Sequence, residues 1–214
     1  MQFTDAAVQR VLEEYEARSA EETRRWHSQE WKDFVRERDQ FLLAVGPETG
    51  QFMNLLIREA KHKVILEIGT SYGYSTLWLA EAARKTGGRV ITLELQENKQ
   101  EYARERMARA GLADVIEFRR GDALNLLANL DINVDFVLLD LWKDLYIPCF
   151  DLFYPRLNPD AIVVADNMTF PESARANAAA YQQHVRSEAE LQSILLPIGS
   201  GLEVSRCTRG SERK

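Results

Sequence analysis

Cysteine is scarce in this chain. Cys149 and Cys207 are the only two, and they show no CxxC spacing. Two cysteines cannot make a disulfide framework, so the expected setting is reducing and intracellular, here cytoplasmic. Long apolar runs are missing as well. None approaches the roughly 18 residues of a membrane span. The opening Met1-Gln-Phe-Thr-Asp5 lacks the basic and apolar regions of a secretion signal, so no membrane partner is expected. Positive charge is not in excess: 27 Lys and Arg against 33 Asp and Glu leave a net −6. That disfavours a nucleic-acid partner, whose binding rests on phosphate neutralisation. The basic cluster within Arg104 to Arg109 reads as the solvated face of a helix. Internal repeats and low-complexity tracts are absent, and His27, His62 and His184 show no ligand spacing.

What remains is ordinary globular composition, with 45% hydrophobic and 28% charged residues in a chain of 214. That length suits one substantial α/β domain better than two. Val8, Val11, Leu12 and Tyr15 follow helical spacing over residues 5 to 18, and Ser19 with Glu22 reads as a capping box opening a second helix. Trp31, Phe34, Val35, Phe41, Leu42 and Val45 continue that helix until Gly46-Pro47 ends it, and a third runs from about Thr49 to Ala60. From Lys63 the rhythm changes to short apolar strands: Val64–Ile68, Arg89–Glu94, Val115–Arg119, Val134–Leu139 and Ala161–Ala165. Helical segments near 74–85, 97–109, 123–129 and 144–155 separate them, which predicts right-handed crossovers and a largely parallel sheet covered on both faces. After a helix near 172–188, Leu191–Ile198 and Leu202–Cys207 flank Gly199-Ser-Gly201 as a terminal hairpin, adding antiparallel strands at the sheet edge. The N-terminal helices are expected to cover the crevice or to form a homodimer contact.

The chemistry concentrates at strand ends. Strand one runs into Glu67-Ile-Gly69-Thr-Ser-Tyr-Gly73-Tyr-Ser75, where two glycines allow a tight turn and close approach of a ligand. Open α/β sheets bind nucleotides at this position. The spacing is G-x-x-x-G, not the dinucleotide G-x-G-x-x-G, and Glu67 would repel a pyrophosphate. S-adenosylmethionine (SAM), which is cationic and carries no phosphate, suits that carboxylate. Glu94, ending strand two, is placed to accept the ribose hydroxyls, and Asp122-Ala123 after strand three can present backbone groups to adenine. Strands four and five deliver Asp140-Leu-Trp-Lys143 and Asp166-Asn167 to the same side. Asp140, Asp166 and Asn167 are hard oxygen donors suited to a magnesium-like cation. Together they point to a metal-assisted reaction on an oxygen nucleophile.

Taken in order, these segments resemble the metal-dependent class I O-methyltransferases of the catechol and caffeoyl-CoA type. The likeness extends through Val45-Gly-Pro-Glu-Thr-Gly-Gln51, Leu66 to Ser75, Asp140 to Tyr146 and Ala165 to Pro171. It implies a Rossmann-like seven-stranded sheet, mostly parallel with one antiparallel strand. Residues 1–214 would form a single methyltransferase domain, with 1–60 a helical cover and 61–214 the core. SAM contacts are implied at Val45, Glu67, Gly69, Thr70, Ser71, Ser75, Glu94, Ala123 and Asp140, and metal ligands at Asp140, Asp166 and Asn167. Lys143 is the implied catalytic base, and Phe41, Trp142 and Pro171 the apolar walls for a small aromatic acceptor. Two positions depart from the pattern: Leu141 stands where a histidine often packs on adenine, and a glutamate holding a second catechol hydroxyl is replaced near Leu196. The implied activity is SAM- and divalent-metal-dependent O-methylation of a catechol-like or hydroxycinnamate-like aromatic. The rival readings are a tRNA-modifying O-methyltransferase and a non-catalytic SAM-binding protein. An NAD-dependent oxidoreductase is disfavoured by the missing dinucleotide fingerprint.

Overall fold

A computed structural model describes residues 3–28 and 38–210. The first helix, α1 (Ala6–Ser28), is capped by Asp5, whose Oδ1 accepts the Ala7 amide at 2.8 Å. Its stripe of Val8, Val11, Leu12 and Tyr15 is buried. The expected break at Ser19 does not occur. The helix runs through it, Thr23 Oγ1 donates to the Ser19 carbonyl at 2.9 Å, and Glu22 pairs with Arg18 one turn back. S-x-x-E is also an ordinary mid-helix spacing, and no Gly or Pro interrupts the turn. Trp31, Phe34 and Val35 lie outside the described residues.

Phe41, Leu42 and Val45 are buried but not helical. They follow a 3-10 turn at Arg38–Gln40 as a segment without regular secondary structure. Gly46-Pro47 opens a helix instead of ending one: Pro47 starts α2 (Pro47–Ala60), where its missing N–H costs nothing. Met53 and Ile57 form its buried stripe, and Gly50 lies against the Trp78 ring, which an added Cβ would meet at 2.4 Å. That close crossing packs α2 on α3 (Tyr74–Thr86), itself almost wholly buried.

The strands are β1 (Val64–Ile68), β2 (Arg89–Glu94), β3 (Ile116–Arg120), β4 (Val134–Leu139), β5 (Leu157–Ala165), β6 (Leu191–Leu196) and β7 (Leu202–Cys207). Between them lie α4 (Glu97–Arg109), α5 (Ala123–Ala128), α6 (Tyr146–Phe153) and α7 (Arg175–Ser187). The sheet order is β3-β2-β1-β4-β5-β7-β6, and only β7 runs antiparallel to its neighbours. The expected hairpin exists, but β7 inserts between β5 and β6. Consequently β6 runs with the parallel strands and forms the edge. One apolar layer, including α1, α2 and α3, covers one sheet face; α5, α6 and α7 build the other. No helix among the described residues is long and apolar enough to cross a membrane.

Candidate active site

The order of strands reverses at β1, which pairs with β2 on one side and β4 on the other. Ligands of open α/β sheets bind outside the strand ends at such a point. A small cleft opens there, lined by Leu42 to Val45, by Gly69, Thr70 and Ser71, by Tyr74 and Ser75, and by Asp140. Val45, Gly69, Thr70, Ser71, Ser75 and Asp140, read separately from the sequence, thus share one space. Leu42, Leu43, Ala44 and Tyr74 were missed; only their placement beside Val45 and Ser75 could have signalled them.

The turn after β1 explains the glycine. Gly69 adopts φ +106°, and a Cβ there would sit 2.0 Å from the Asp140 carbonyl oxygen. The amides of Gly69 and Thr70 both donate to Leu93 O at 3.1 Å, binding the turn to the end of β2. Glu94 completes that junction, accepting the Ser71 amide and the Gln96 amide at 2.8 Å each. The Gly121 amide donates to Glu94 O at 2.9 Å, bringing the turn before Ala123 alongside. Leu95, next in sequence, is 67% exposed. Glu67 is fully buried below the turn, accepting hydroxyls from Ser75 and Thr76 at 2.6 Å and from Thr92 at 2.5 Å. Burial pushes its carboxyl up to about 7 despite those three donors.

The second cluster is built by ladder continuation. Asp140 N–H donates to Ile68 O at 3.0 Å and Asp166 N–H to Leu139 O at 3.2 Å, so β1, β4 and β5 end in staggered steps. Lys143 starts a 3-10 turn and folds back over them. Its ammonium donates to Asn167 Oδ1 at 2.9 Å, to Leu141 O at 3.3 Å and to the Tyr146 hydroxyl, and lies 4.0 Å from Asp140 Oδ1. Asn167 takes a left-handed φ of 56°, and its Nδ2 donates to Asp166 Oδ2 at 3.3 Å. Tyr146, also missed, is fully buried and donates to the Asp166 carbonyl at 3.2 Å. Its spacing three residues after Lys143 was the available signal.

Burial dominates the electrostatics. It raises the carboxyls of Asp140 and Asp166, and the Asp166 shift is reinforced by the neighbouring Asp140 charge. Burial lowers the Lys143 ammonium, against the pull of both aspartates. Two carboxylates face one ammonium, and buried Asp166 Oδ1 has no hydrogen-bond partner. Among the described residues no three His, Cys, Asp or Glu side chains converge as a metal cluster. The oxygen set here is instead two carboxylates and an amide. An unpartnered carboxylate oxygen and a deficit of positive charge are what a hard divalent cation would satisfy.

Trp142 is 47% exposed beside Lys143, and Pro171 is half-buried after the exposed Phe170. Phe41 does not join them as an open wall. Its side chain is buried, with the Arg25 guanidinium 5.3 Å from its ring centre, and its neighbour Leu42 lines the cleft instead.

A family model described as O-methyltransferase matches residues 17–206. The chain belongs to the O-methyltransferase family. Among curated relatives, a catechol O-methyltransferase of Niastella koreensis is 35% identical over 130 residues, covering 59% of this chain and 58% of that protein. The match thus spans less than two thirds of that relative's length. A catechol O-methyltransferase of Mycobacterium tuberculosis is 34% identical over 154 residues, covering 69% of this chain and 70% of its own. Among solved structures, the O-methyltransferase TomG from Streptomyces achromogenes, in complex with SAM, superposes with a TM-score of 0.75. Its identity is 26%, over 97% of this chain and 92% of that one. The fold is thus shared with an O-methyltransferase solved in complex with SAM.

Proposed function

We propose that this chain is a SAM-dependent O-methyltransferase acting on a hydroxyl of a small aromatic acceptor, with a divalent cation at Asp140, Asp166 and Asn167. The observation that carries the reading is the convergence of Lys143, Asn167 and both aspartates, drawn from the ends of β4 and β5, beside the cleft of the Gly69 turn. The TomG complex with SAM supports the methyl donor, and the two relatives named for catechol support the acceptor class. On this reading residues 1–214 act as one methyltransferase domain, with 1–60 its cover.

Each residue has work to do. The Glu94 carboxylate, already oriented by two backbone amides, accepts ribose hydroxyls through its remaining lone pairs. The bare backbone at Gly69 allows close approach of the donor, and buried Glu67 holds the Ser75 side chain beside the cleft by accepting its hydroxyl. Trp142 and Pro171 flank the ring of the acceptor. When bound, a divalent cation supplies the positive charge that favours an ionised acceptor hydroxyl.

Lys143 holds the proton released by that hydroxyl. A phenol has a pKa near 10, so its ionisation at neutral pH costs about 4 kcal/mol without help. Lys143 must be neutral to accept, and its burial favours that form. Leu141 O, the Tyr146 hydroxyl and Asn167 Oδ1 fix where its Nζ sits. The displacement itself needs an aligned oxygen and methyl carbon in a dry site, which makes positioning the main contribution.

Labelled SAM incubated with a panel of vicinal-hydroxyl aromatics tests the reading. The labelled methyl should appear bonded to an acceptor oxygen in the presence of magnesium. Label appearing in bulk tRNA instead, or in no acceptor, would overturn it.

A further inference from the structure

Helix α1 touches both walls of the cleft through one ion pair. On one side, the Arg18 guanidinium lies 4.0 Å from the centre of the Tyr72 ring, and Tyr72 belongs to the Gly69–Gly73 turn. One turn earlier on the same helix, Tyr15 donates its hydroxyl to Tyr72 O at 2.6 Å. On the other side, Arg18 Nη2 donates to Gln40 O at 3.1 Å. Its partner Glu22, at 2.7 Å from Arg18 Nε, accepts the Leu42 amide at 2.6 Å. Leu42 begins the segment that lines the cleft opposite the turn. Both members of the pair are mostly shielded, their side chains 24% and 14% exposed.

We infer that Arg18 and Glu22 are positioning residues for SAM: their ion pair sets the separation between the Leu42–Val45 segment and the Gly69–Ser71 turn and so holds the donor in place. The inference rests on the proposed function. An exposed surface pair would contribute little. This one differs because Arg18 also packs on Tyr72 of the turn and Glu22 also accepts the Leu42 amide. Leu43 follows with a strained left-handed φ of 48°, so the segment has reason to relax once the Leu42 amide loses its acceptor. The same backbone carries Val45 into the cleft. Loosening it should shorten the donor's residence without touching Lys143 or the two aspartates.

The experiment measures binding of S-adenosylhomocysteine to the full chain by calorimetry and its release by stopped flow. The proteins compared are wild type, Arg18→Met, Glu22→Ala and Glu22→Gln. Arg24→Ala, which removes an exposed pair on the same helix, is the control. We expect about a tenfold weaker Kd for Arg18→Met and Glu22→Ala, carried by faster release, and a smaller loss for Glu22→Gln, which keeps an acceptor for the Leu42 amide. The KM for SAM should rise in parallel while the acceptor KM stays fixed. Unchanged release in these variants overturns the inference and leaves the proposed function standing. Equal weakening in Arg24→Ala also overturns it, by showing a general effect of the helix. Failure of the wild type to bind at all overturns the proposed function, and the inference with it.

Discussion

The Lys143 ammonium donates to the Asn167 side-chain oxygen at 2.9 Å, joining residues 24 positions apart at the ends of two neighbouring strands. This contact places an amine, an amide and two carboxylates within one site. It also holds the base against groups that carry formal or partial negative charge.

Replacing that amine should therefore be felt in the chemical step alone. Lys143→Met is expected to lower kcat by roughly a hundredfold to ten-thousandfold, the usual reach of a positioned base. Affinity for S-adenosylhomocysteine should be unchanged, because Lys143 does not line the cleft beside the Gly69 turn. A loss below tenfold in steady-state kinetics would remove Lys143 from the mechanism.

The unpartnered Asp166 Oδ1 predicts a stability response to divalent cations. Chelated protein should gain Tm as magnesium is added, by about 2.7 kcal/mol of stabilisation when the ion reaches a hundred times its Kd. In Asp166→Asn the rise should vanish, because the charge deficit and the free oxygen are both reduced. Differential scanning calorimetry with and without EDTA reads this directly.

Glu67 is expected to give the chain a pH-dependent stability that falls as pH rises. Its carboxyl is raised from 4.5 to about 7 in the fold. Between those values the native state holds the proton that the unfolded chain has released, so stability falls as pH rises. The full loss is roughly 3 kcal/mol, reached above pH 7. Glu67→Gln has no such titration. The difference in stability between wild type and variant, measured by urea unfolding from pH 4.5 to 7.5, should shift against wild type. Parallel curves would contradict the burial argument.

Gly69→Ala should damage fold and site together. The new Cβ would lie 2.0 Å from the Asp140 carbonyl oxygen at a φ of +106°. A loss of roughly 2–4 kcal/mol is expected from strain and overpacking, visible as a lower urea midpoint. Magnesium-dependent stabilisation should weaken as well, since the clash moves Asp140.

Much of this arrangement was legible in the sequence. Val64–Ile68, Arg89–Glu94 and Val134–Leu139 are apolar runs bounded by turn residues, and the structure gives them the same limits. Once Val134–Leu139 and the strand ending at Ala165 lie parallel and adjacent, Asp140 and Asp166 must emerge at one end, so their meeting followed from strand order. The continuation of α1 past Ser19 did not follow, because one spacing serves both as a cap and as an interior turn. Nor did the insertion of β7: Gly199-Ser-Gly201 fixes that β6 and β7 pair, and nothing in the periodicity says which joins β5. Contacts such as Arg18 on Tyr72, or Glu22 on the Leu42 amide, depend on how α1 docks and carry no local pattern.

Crystals grown with S-adenosylhomocysteine and soaked in manganese test the account most directly, through anomalous scattering at the cation. The account requires a single strong peak bonded to carboxylate oxygens of Asp140 and Asp166 and to Asn167 Oδ1, with Lys143 Nζ facing the open side. A peak bonded elsewhere, or none at this site while the donor product is bound, would contradict it.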